Sequence, residues 1–366
     1  MSKFVCPYCY YMYKLKDVLF VCPDCNKISK PDIFEKKPVK CKNTACGKVV
    51  AIKKCPNCGE ELPAALLETP HLRISTLGID CSGRTSFIAV MMRELEKFSE
   101  SRLTFEPQDN RTRDWCSENY KLIYEYHTTV ESTAATSEGA YVRPLISRIK
   151  YKKSNNNASA NSIIIYDGAG EDCEYNLKPT SNTCSHVKIC NAIILTIDPL
   201  SFKIVLNNIN EEIIKNSLAG CEVNKNRNNY NLISNLADYL RQAYGISYKD
   251  FISIPVAVVL TKFDLIHNDK YFKDKIVKYS SAVLRKGTFC KDEIIQIDYE
   301  IRDWLYNMGE ELLINALEAN FKTFSFFGVS SFGEPPTGSN TLSQNIIPHR
   351  VLDPILWLLK VAKFIN

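Results

Sequence analysis

Residues 78–87 read GIDCSGRTSF, and the positions of Gly78, Gly83 and Thr85 in this stretch decide how the chain is expected to fold. The run HLRISTLG, which ends at Gly78, has the pattern of a strand, and RTSFIAVMMRELEKFS, which starts at Arg84, repeats apolar residues at helical spacing. A glycine loop between a strand and a helix presents backbone N–H groups to an anion at the positive end of the helix dipole. The stretch therefore predicts a phosphate-binding loop of the pattern G-x-x-x-x-G-K-[ST], in which Arg84 replaces the lysine.

Two later apolar runs end in residues that suit a bound nucleotide. NSIIIYDGAGED ends in the pattern D-x-x-G, where Asp167 can hold Mg²⁺ through water and Gly170 lets a backbone N–H approach a terminal phosphate. IPVAVVLTKFDLI ends in the pattern T-K-x-D. There the carboxylate of Asp264 can accept two hydrogen bonds from guanine, while the stem of Lys262 covers the ring.

Two more runs, CNAIILTIDPL and FSFFGVSSFG, complete the set of buried strands, and the backbone of Ser330 and Ser331 can meet a guanine carbonyl. With its motifs in this order, the chain resembles P-loop GTPases of the Ras-like, translation-factor-related (TRAFAC) class over about residues 70–366. The runs YDGAGED, IDPLSF, VAVVLTKFDL and VLDPILWLL are similar to bacterial double-GTPase families, which often carry N-terminal zinc ribbons and are proposed to act in defence systems. The resemblance implies an α/β fold: a Ras-like P-loop domain with a mostly parallel sheet, preceded by two small four-cysteine zinc ribbons.

The resemblance also implies a role for each matching residue. The phosphate cradle consists of Gly78, Ser82, Gly83, Arg84, Thr85 and Ser86. Magnesium is held by Thr85 and Asp167, and the terminal phosphate is sensed by Gly170. Guanine is held by Thr261, Lys262, Asp264, Ser330 and Ser331. A switch threonine is expected among Thr128, Thr129, Thr133 and Thr136, of which Thr136 is favoured because it precedes the strand-like run YVRPLISRIKY.

Three positions depart from the pattern of that class. Arg84 keeps the positive charge of the usual lysine and can fork onto phosphate, but its planar head group is bulkier. Glu171 stands where a glutamine would orient the attacking water, and a carboxylate there repels a γ-phosphate. Thr261 replaces the more usual asparagine at little cost. We expect nucleotide binding to survive and unaided hydrolysis to be slow, with Arg84, Glu171 and Thr136 as the catalytic candidates.

The first 58 residues hold eight of the 15 cysteines, in a spacing that is typical of zinc sites. Three C-P-x-C elements each point two sulfurs at one metal, and four thiolates suit the tetrahedral preference of zinc. The eight expected ligands are Cys6, Cys9, Cys22, Cys25, Cys41, Cys46, Cys55 and Cys58. Their order predicts two ribbons in tandem, although pairing between the two sets also fits. A disulfide framework is the alternative, and it suits a small secreted chain better.

Composition and charge are those of an ordinary globular protein. The apolar fraction is 45%, the charged fraction is 24%, and no apolar run approaches the roughly 18 residues that a membrane span needs. The N-terminus, MSKFVCPYC, lacks the apolar segment of a signal peptide, so a cytoplasmic location is expected. The net charge of +5 is concentrated in the cysteine-rich segment, and zinc-bound thiolates would reduce it there. The positive charge that would remain on this segment is too small for a protein whose main role is to bind nucleic acid.

The expected domains are zinc ribbons at 1–30 and 31–62, a linker at 63–70, and one nucleotide-binding domain at 71–366. Since a Ras-like domain needs only about 170 residues, we expect insertions, the main ones at 101–162, 203–250 and 265–320. Two apolar stripes in these insertions are interpreted as helix faces in the core: Leu232, Leu236, Leu240 and Ala243, and Trp304, Leu305, Met308 and Leu312. The run YMYKLKDVLFV is interpreted as a β-hairpin, and RVLDPILWLLKVAKFI as a C-terminal helix packed on the sheet.

Two functions fit these patterns. The first is a guanine-nucleotide-binding switch, with slow or partner-dependent hydrolysis of GTP to GDP and phosphate. The second is a pseudo-GTPase scaffold whose zinc ribbons recruit a protein or nucleic-acid partner. Arg84 and Glu171 favour the scaffold, whereas the intact T-K-x-D and D-x-x-G patterns favour the switch, because an empty pocket has no need of a guanine clamp.

Overall fold

The computed structural model describes residues 3–29, 39–43, 45–50, 52–98, 103–130, 141–152, 158–168, 184–218, 229–281, 289–338 and 340–365. In these ranges the chain forms two small sheets in its cysteine-rich segment, followed by one large mixed sheet with α-helices. Among the described helices, none is long and apolar enough to cross a membrane.

Five short strands make up the cysteine-rich segment: β1 (Lys3–Val5), β2 (Met12–Lys14), β3 (Leu19–Val21), β4 (Ile28–Ser29) and β5 (Ile52–Lys54). Strand β1 pairs antiparallel with β2, and β3 pairs antiparallel with both β4 and β5. The hairpin predicted for YMYKLKDVLFV is wrong, because β2 and β3 pair with other strands. Each hairpin closes instead around a C-P-x-C turn, one between β1 and β2 and one between β3 and β4.

Seven strands form the large sheet: β6 (His71–Gly78), β7 (Leu103–Pro107), β8 (Pro144–Lys152), β9 (Ala158–Asp167), β10 (Ala192–Ile197), β11 (Val256–Leu260) and β12 (Phe324–Gly328). Their order across the sheet is β12-β11-β10-β6-β9-β8-β7. The strands from β12 to β9 are parallel to one another, and β8 and β7 extend the sheet antiparallel. The expectation of a mostly parallel sheet in an α/β fold is confirmed.

The position of β6 at the centre of the sheet creates a crevice at its carboxyl end. After β6 the chain crosses to one side to form β7, β8 and β9, and it then crosses to the other side to form β10, β11 and β12. In open α/β sheets, a ligand binds where neighbouring strands send their connections to opposite sides. The loop that follows β6 therefore lies where a ligand is expected.

Nine described segments are α-helical: α1 (Ala64–Glu68), α2 (Arg84–Lys97), α3 (Asn110–Tyr120), α4 (Lys203–Asn208), α5 (Glu211–Ser217), α6 (Asn229–Tyr244), α7 (Lys291–Asn307), α8 (Glu311–Asn320) and α9 (Asp353–Val361). Helix α2 follows the glycine loop directly, as predicted, and Ile88, Met91, Met92 and Leu95 on its apolar face are fully buried. Helix α9 packs on β11, which confirms the prediction for the C-terminal run.

The two apolar stripes in the insertions are confirmed except at one position in each. Leu232, Leu236 and Leu240 of α6 are buried, but Ala243 is exposed because it lies in the last turn, before the helix ends at Gly245. Trp304, Leu305 and Met308 at the end of α7 are also buried. Leu312, however, is 64% exposed, because a turn at Gly309 with φ of +78° separates α7 from α8 and ends the register of the stripe.

The cysteine-rich segment packs against one face of the large sheet. Its aromatic residues Phe4, Tyr8 and Tyr13 are buried in one cluster with Ile146 of β8 and Ile164 of β9. These three aromatic side chains therefore form part of a small core between the segment and the sheet. Helix α1 lies in the predicted linker, and its Leu66 belongs to the same cluster.

Candidate functional site

A cavity of about 420 Å³ opens between the loop after β6 and the segment after β11. Residues 82–86 of the predicted phosphate loop line one side of it. The predicted guanine-binding residues Thr261, Lys262, Asp264 and Ser331 line the other side. The fold thus brings together two sets of residues that lie far apart in the sequence.

The remaining predicted residues fall into two groups. Gly78 and Asp167 end the adjacent strands β6 and β9 and are not among the described residues that line the cavity. Ser330 lines a second cavity of about 390 Å³, and Asp264 lines both cavities. Gly170, Glu171 and Thr136 lie outside the described residues, so their predicted roles stay predictions.

Two glycines shape the loop for steric reasons. Gly83 has φ of +71°, a left-handed conformation that starts α2 and that other residues adopt only with strain. A Cβ atom on Gly78 would lie 2.1 Å from Thr196 Oγ1, so no larger residue fits there. The same Thr196 hydroxyl lies 2.8 Å from Ser82 Oγ and donates to Leu77 O, which fixes the loop to β10. Neither contact of Thr196 was anticipated from the sequence.

Arg84 is held by the end of β9. Its Nε donates to Asp167 Oδ1 at 2.7 Å, its Nη2 donates to Gly168 O, and its Nη1 lies 3.4 Å from Gly78 O. The two charged side chains are only 6% and 8% exposed, so the pair is shielded from water. The sequence predicted that this arginine would fork onto phosphate. In the structure, its guanidinium instead donates hydrogen bonds to Asp167 and Gly168 of the D-x-x-G segment. The residue still lines the cavity.

The residues predicted to hold magnesium contact each other and Arg84. Thr85 Oγ1 donates to Asp167 Oδ2 at 2.9 Å, while Arg84 occupies Oδ1 of the same carboxylate. A hydrated Mg²⁺ keeps several waters and uses such a carboxylate to accept hydrogen bonds from them. Since the buried guanidinium of Arg84 lies 2.7 Å from Oδ1, its positive charge opposes a second cation at the same carboxylate, and the residues present do not fit a magnesium ion.

Thr261 and Lys262 fasten the loop to β11. Thr261 Oγ1 lies 2.7 Å from Ser82 O and 3.1 Å from Ile197 O, so its hydroxyl bridges the loop and β10. Lys262 Nζ donates to Cys81 O at 3.0 Å and forms an ion pair of 2.7 Å with Asp198 Oδ2. Asp198 is 3% exposed and was missed by sequence analysis. Its position directly after a buried strand, in the run IDPL, is the signal that could have identified it.

Asp264 stands between the two cavities. Burial raises the pKa of its carboxyl above the ordinary value, while a hydrogen bond with Ser330 and the charge of Lys262 oppose that rise. Beside it, the ring of His349 stacks on Phe263 at 5.6 Å, and burial lowers the pKa of this histidine to about 4. The wall beside Asp264 therefore includes stacked, uncharged aromatic rings, which suit a flat, polar-edged ligand such as a purine base.

The segment that contains two of the switch candidates covers the cavity from a third side. Thr129 lines the cavity, and its N–H donates to Asn340 O at 3.0 Å. Leu342 N–H donates to His127 O at 2.7 Å, so the chain before residue 131 pairs with the chain after β12. Of the four candidate threonines, Thr129 is placed at the cavity, whereas Thr133 and the favoured Thr136 lie outside the described residues.

The eight cysteines form two groups of four. One consists of Cys6, Cys9, Cys55 and Cys58, the other of Cys22, Cys25, Cys41 and Cys46, and the sulfurs within each group lie within 4.8 Å of one another. The tandem pairing is therefore wrong, and the interleaved alternative is the one observed. The physical reason is that β3 pairs with β5, which carries the third C-P-x-C turn back to the first.

Both groups fit a zinc ion. Four sulfurs at about 2.3 Å from one tetrahedral ion are separated from each other by about 3.8 Å. The first group has Sγ–Sγ distances of 3.8 Å for Cys6–Cys58 and 3.8 Å for Cys9–Cys55. The second group has 3.6 Å for Cys22–Cys46 and 3.4 Å for Cys25–Cys41. All four positions of each site are filled by protein ligands, which is typical of structural zinc.

The first cysteine group touches the strand that carries Asp167. Tyr166 Oη donates to Pro7 O, within the first C-P-x-C turn, at 3.1 Å, and Tyr10 packs edge-on against Tyr166 at 5.7 Å. On its other side Tyr166 stacks on His186 at 5.6 Å, and His186 Nδ1 lies 2.8 Å from Ser75 Oγ of β6. Burial lowers the pKa of His186 to about 3, and Arg84 adds to that effect. Sequence analysis found no role for this histidine, because its partners are distant along the chain.

Comparison with known proteins shows likenesses to a curated protein and to solved structures. No protein-family profile matches the chain. A protein of Mycolicibacterium smegmatis with the provisional name ESX-1 scaffolding and assembly protein SaeC is 21% identical over 328 residues, which cover 84% of this chain and 79% of that protein. The crystal structure of the Ski7 GTPase-like domain of S. cerevisiae, bound to GTP, is similar with a TM-score of 0.30 and 13% identity, over 81% of this chain. The match spans about half of that solved chain, 51% of its length.

Proposed function

We propose that the chain binds a guanine nucleotide in the 420 Å³ cavity and acts as a molecular switch whose GTP hydrolysis is slow or depends on a partner. One observation carries this proposal: residues 82–86 line the same cavity as Thr261, Lys262, Asp264 and Ser331. A phosphate loop and a guanine clamp are useful together only when one ligand spans both. A Ras-like P-loop fold is part of the proposal, and it is supported by the central position of β6 and the crevice at its carboxyl end.

In the proposed complex, the phosphates lie against the start of α2. The first backbone bond within this helix runs from Phe87 N–H to Gly83 O, so the N–H groups of the preceding turn are directed toward the cavity end of the helix. The helix dipole adds about half a positive charge at this point. The guanine base lies beside Asp264, whose carboxylate accepts hydrogen bonds from the edge of the base.

Replacement of Asp264 by asparagine tests the guanine clamp. Hydrogen bonds to a charged group contribute about 1.5–3 kcal/mol each, so we expect GDP affinity to fall by about tenfold to a hundredfold. Xanthosine diphosphate should bind the variant better than GDP does, because its extra carbonyl accepts a hydrogen bond from the new amide. Asp250→Asn, at an exposed aspartate, is the matched control. Equal GDP affinity in the wild type and in Asp264→Asn would contradict the proposed clamp.

We expect slow hydrolysis because the groups that position charge and water depart from those of an efficient enzyme. The charge of Arg84 is shared with Asp167 at 2.7 Å and is not wholly available to a terminal phosphate. Glu171 adds a negative charge where the attacking water would be oriented. Glu171→Gln should therefore raise the rate of phosphate release from GTP, whereas Glu125→Gln, at an exposed position, should leave it unchanged. An unchanged rate in Glu171→Gln would remove the proposed role of this residue.

A scaffold function is the second candidate, and an exposed apolar patch on the cysteine-rich segment favours it. Tyr11, Met12 and Leu15 are 51%, 52% and 37% exposed, although the neighbouring aromatic side chains are buried. The similar mycobacterial protein is named for scaffolding and assembly. If the patch recruits a protein, the double variant Tyr11→Ser and Met12→Ser should lose the in vivo function that depends on this recruitment, and it should keep wild-type GDP affinity. If the function depends on the nucleotide instead, Asp264→Asn should lose both GDP affinity and in vivo function, and the double variant should keep both. A role in bacterial defence, which the family resemblance implies, stays a prediction.

A further inference from the structure

We propose that Arg84 takes the place of the divalent cation in this pocket, so that the guanine nucleotide is held without magnesium. The inference rests on the proposed function, because it concerns how the same cavity neutralises phosphate. Its basis is the arrangement of Arg84, Thr85, Asp167 and Gly168, in which a guanidinium binds two acceptors at the end of β9, one of them the carboxylate that was predicted to hold the cation.

The carboxylate of Asp167 is the first of these acceptors. Oδ1 accepts from Arg84 Nε at 2.7 Å, and Oδ2 accepts from Thr85 Oγ1 at 2.9 Å. Magnesium gives up its water reluctantly and is usually bound through one or two carboxylates and the phosphates of the ligand. A hydrated ion at this point would have to share the carboxylate with the guanidinium, and the positive charge of Arg84 would repel it.

The backbone carbonyl of Gly168 is the second acceptor, and it also receives a hydrogen bond from the guanidinium, through Nη2. Three different nitrogen atoms of Arg84 thus contact the ends of β6 and β9, with Nη1 3.4 Å from Gly78 O. An ammonium group cannot make this pattern, because its donors radiate from one atom. The planar guanidinium of arginine therefore allows one side chain to contact several acceptors that a lysine and a metal ion would otherwise contact between them.

Burial makes the arrangement difficult to displace. Arg84 is 6% exposed and Asp167 is 8% exposed, and removal of one partner from such a pair leaves an uncompensated buried charge. His186, which adjoins Gly168, is fully buried with its pKa lowered to about 3, so it is neutral and adds no competing charge at neutral pH. Because Arg84 also lines the cavity, the part of its charge that Asp167 does not balance acts on a bound phosphate without the help of an ion.

The charges around the cavity decide which nucleotide should be used as the probe. Asp80 lines the cavity, where its carboxylate accepts from Cys81 N–H at 2.9 Å, and Asp264 lines it as well. The charge of Lys262 is already balanced by Asp198 at 2.7 Å. A triphosphate would bring one more negative charge than a diphosphate into a cavity that the carboxylates of Asp80 and Asp264 already make acidic. GDP is therefore the suitable probe for affinity without a cation.

The test is a titration of the zinc-loaded, 366-residue chain with a fluorescent GDP analogue, with and without millimolar magnesium. The magnesium-free buffer is prepared with a chelating resin and contains no soluble chelator, so that the cysteine-bound zinc is kept. We expect magnesium to change the wild-type dissociation constant by less than about threefold. In Arg84→Lys the acceptors on Asp167 and Gly168 are released, and magnesium should then tighten binding by about tenfold or more. Arg113→Lys, at an exposed arginine, should behave like the wild type.

Magnesium dependence of about tenfold in the wild type would overturn the inference while leaving nucleotide binding intact. Absence of GDP binding in both buffers would overturn the proposed function itself, and the inference with it. If Arg84→Lys does not fold, Asp167→Asn replaces it in the test. When Arg84 supplies the charge, this substitution should change affinity by the same factor with and without magnesium. A loss confined to the magnesium buffer would overturn the inference.

Discussion

Asp198 forms the ion pair that holds Lys262 against the loop, and we predict that Asp198→Asn destabilises the protein substantially. The carboxylate is 3% exposed, with Oδ2 2.7 Å from Lys262 Nζ and Oδ1 accepting from Leu200 N–H at 2.9 Å. Asparagine has nearly the same shape and keeps the bond to Leu200. The substitution therefore removes the charge and little else.

The magnitude follows from the burial of the pair. Loss of one partner from a buried ion pair costs about 3–5 kcal/mol, because the other charge is left without compensation. Lys262 is 16% exposed and keeps its bond to Cys81 O at 3.0 Å, so we expect the lower end, about 3 kcal/mol. For a domain of this size each kcal/mol lowers the melting temperature by about 2–4 °C, so a decrease of about 6–12 °C is expected.

Thermal unfolding followed by far-UV circular dichroism measures this effect. Asp250→Asn makes the same chemical change at an exposed side chain and should melt within about 1 °C of the wild type. If Asp198→Asn also melted within about 2 °C of the wild type, the buried pair would contribute little, and the reasoning about Lys262 would be refuted.

Three other perturbations test separate parts of the structure. The double variant Cys6→Ser and Cys58→Ser should retain one zinc ion per chain by mass spectrometry, because both cysteines belong to one group; complete loss of zinc would indicate the tandem pairing instead. The pKa of His186 is lowered by burial to about 3, below its unfolded value of about 6.5. Its stabilising effect is therefore fully present above pH 6.5 and is lost as the pH falls toward 3, so the melting temperature of His186→Gln should depend less on pH in this window; an identical pH profile would exclude this role. Gly78→Ala should lower the free energy of unfolding by about 1–3 kcal/mol in urea titrations, because the new Cβ would meet Thr196 Oγ1 at 2.1 Å, and addition of Thr196→Ala should recover part of the loss. Equal stability of Gly78→Ala and the wild type would show that the loop has more room than the structure gives it.

The parts of the fold that the sequence predicted are those governed by local pattern. The run HLRISTLG forms β6 with the expected bounds, and the helix after the loop begins at Arg84, because apolar periodicity and the glycine spacing act within a few residues. Continuous apolar runs also predicted the strands that end near Asp167 and Asp264. Since parallel strands end at one edge, their terminal residues had to approach the loop.

The parts that could not be predicted depend on contacts between distant segments. Cysteine spacing defines each C-P-x-C turn, but it does not say which two turns share an ion; the pairing of β3 with β5 decides that. The partner of Lys262 is Asp198, 64 residues away, and the partner of Arg84 is Asp167, 83 residues away. A pattern of residue types carries no information on the distance between such positions. Phosphate was therefore the predicted partner of Arg84, whereas in the structure its partner is the carboxylate of Asp167.

Calorimetric titration of the zinc-loaded protein with GDP and, separately, with ADP tests the central claim most directly. The claim is that the loop after β6 and the residues after β11 form one guanine-nucleotide pocket. We predict that GDP binds with one site per chain and at least about tenfold more tightly than ADP, because Asp264 accepts hydrogen bonds that adenine does not donate. Absence of GDP binding, or equal affinity for the two nucleotides, would contradict the claim.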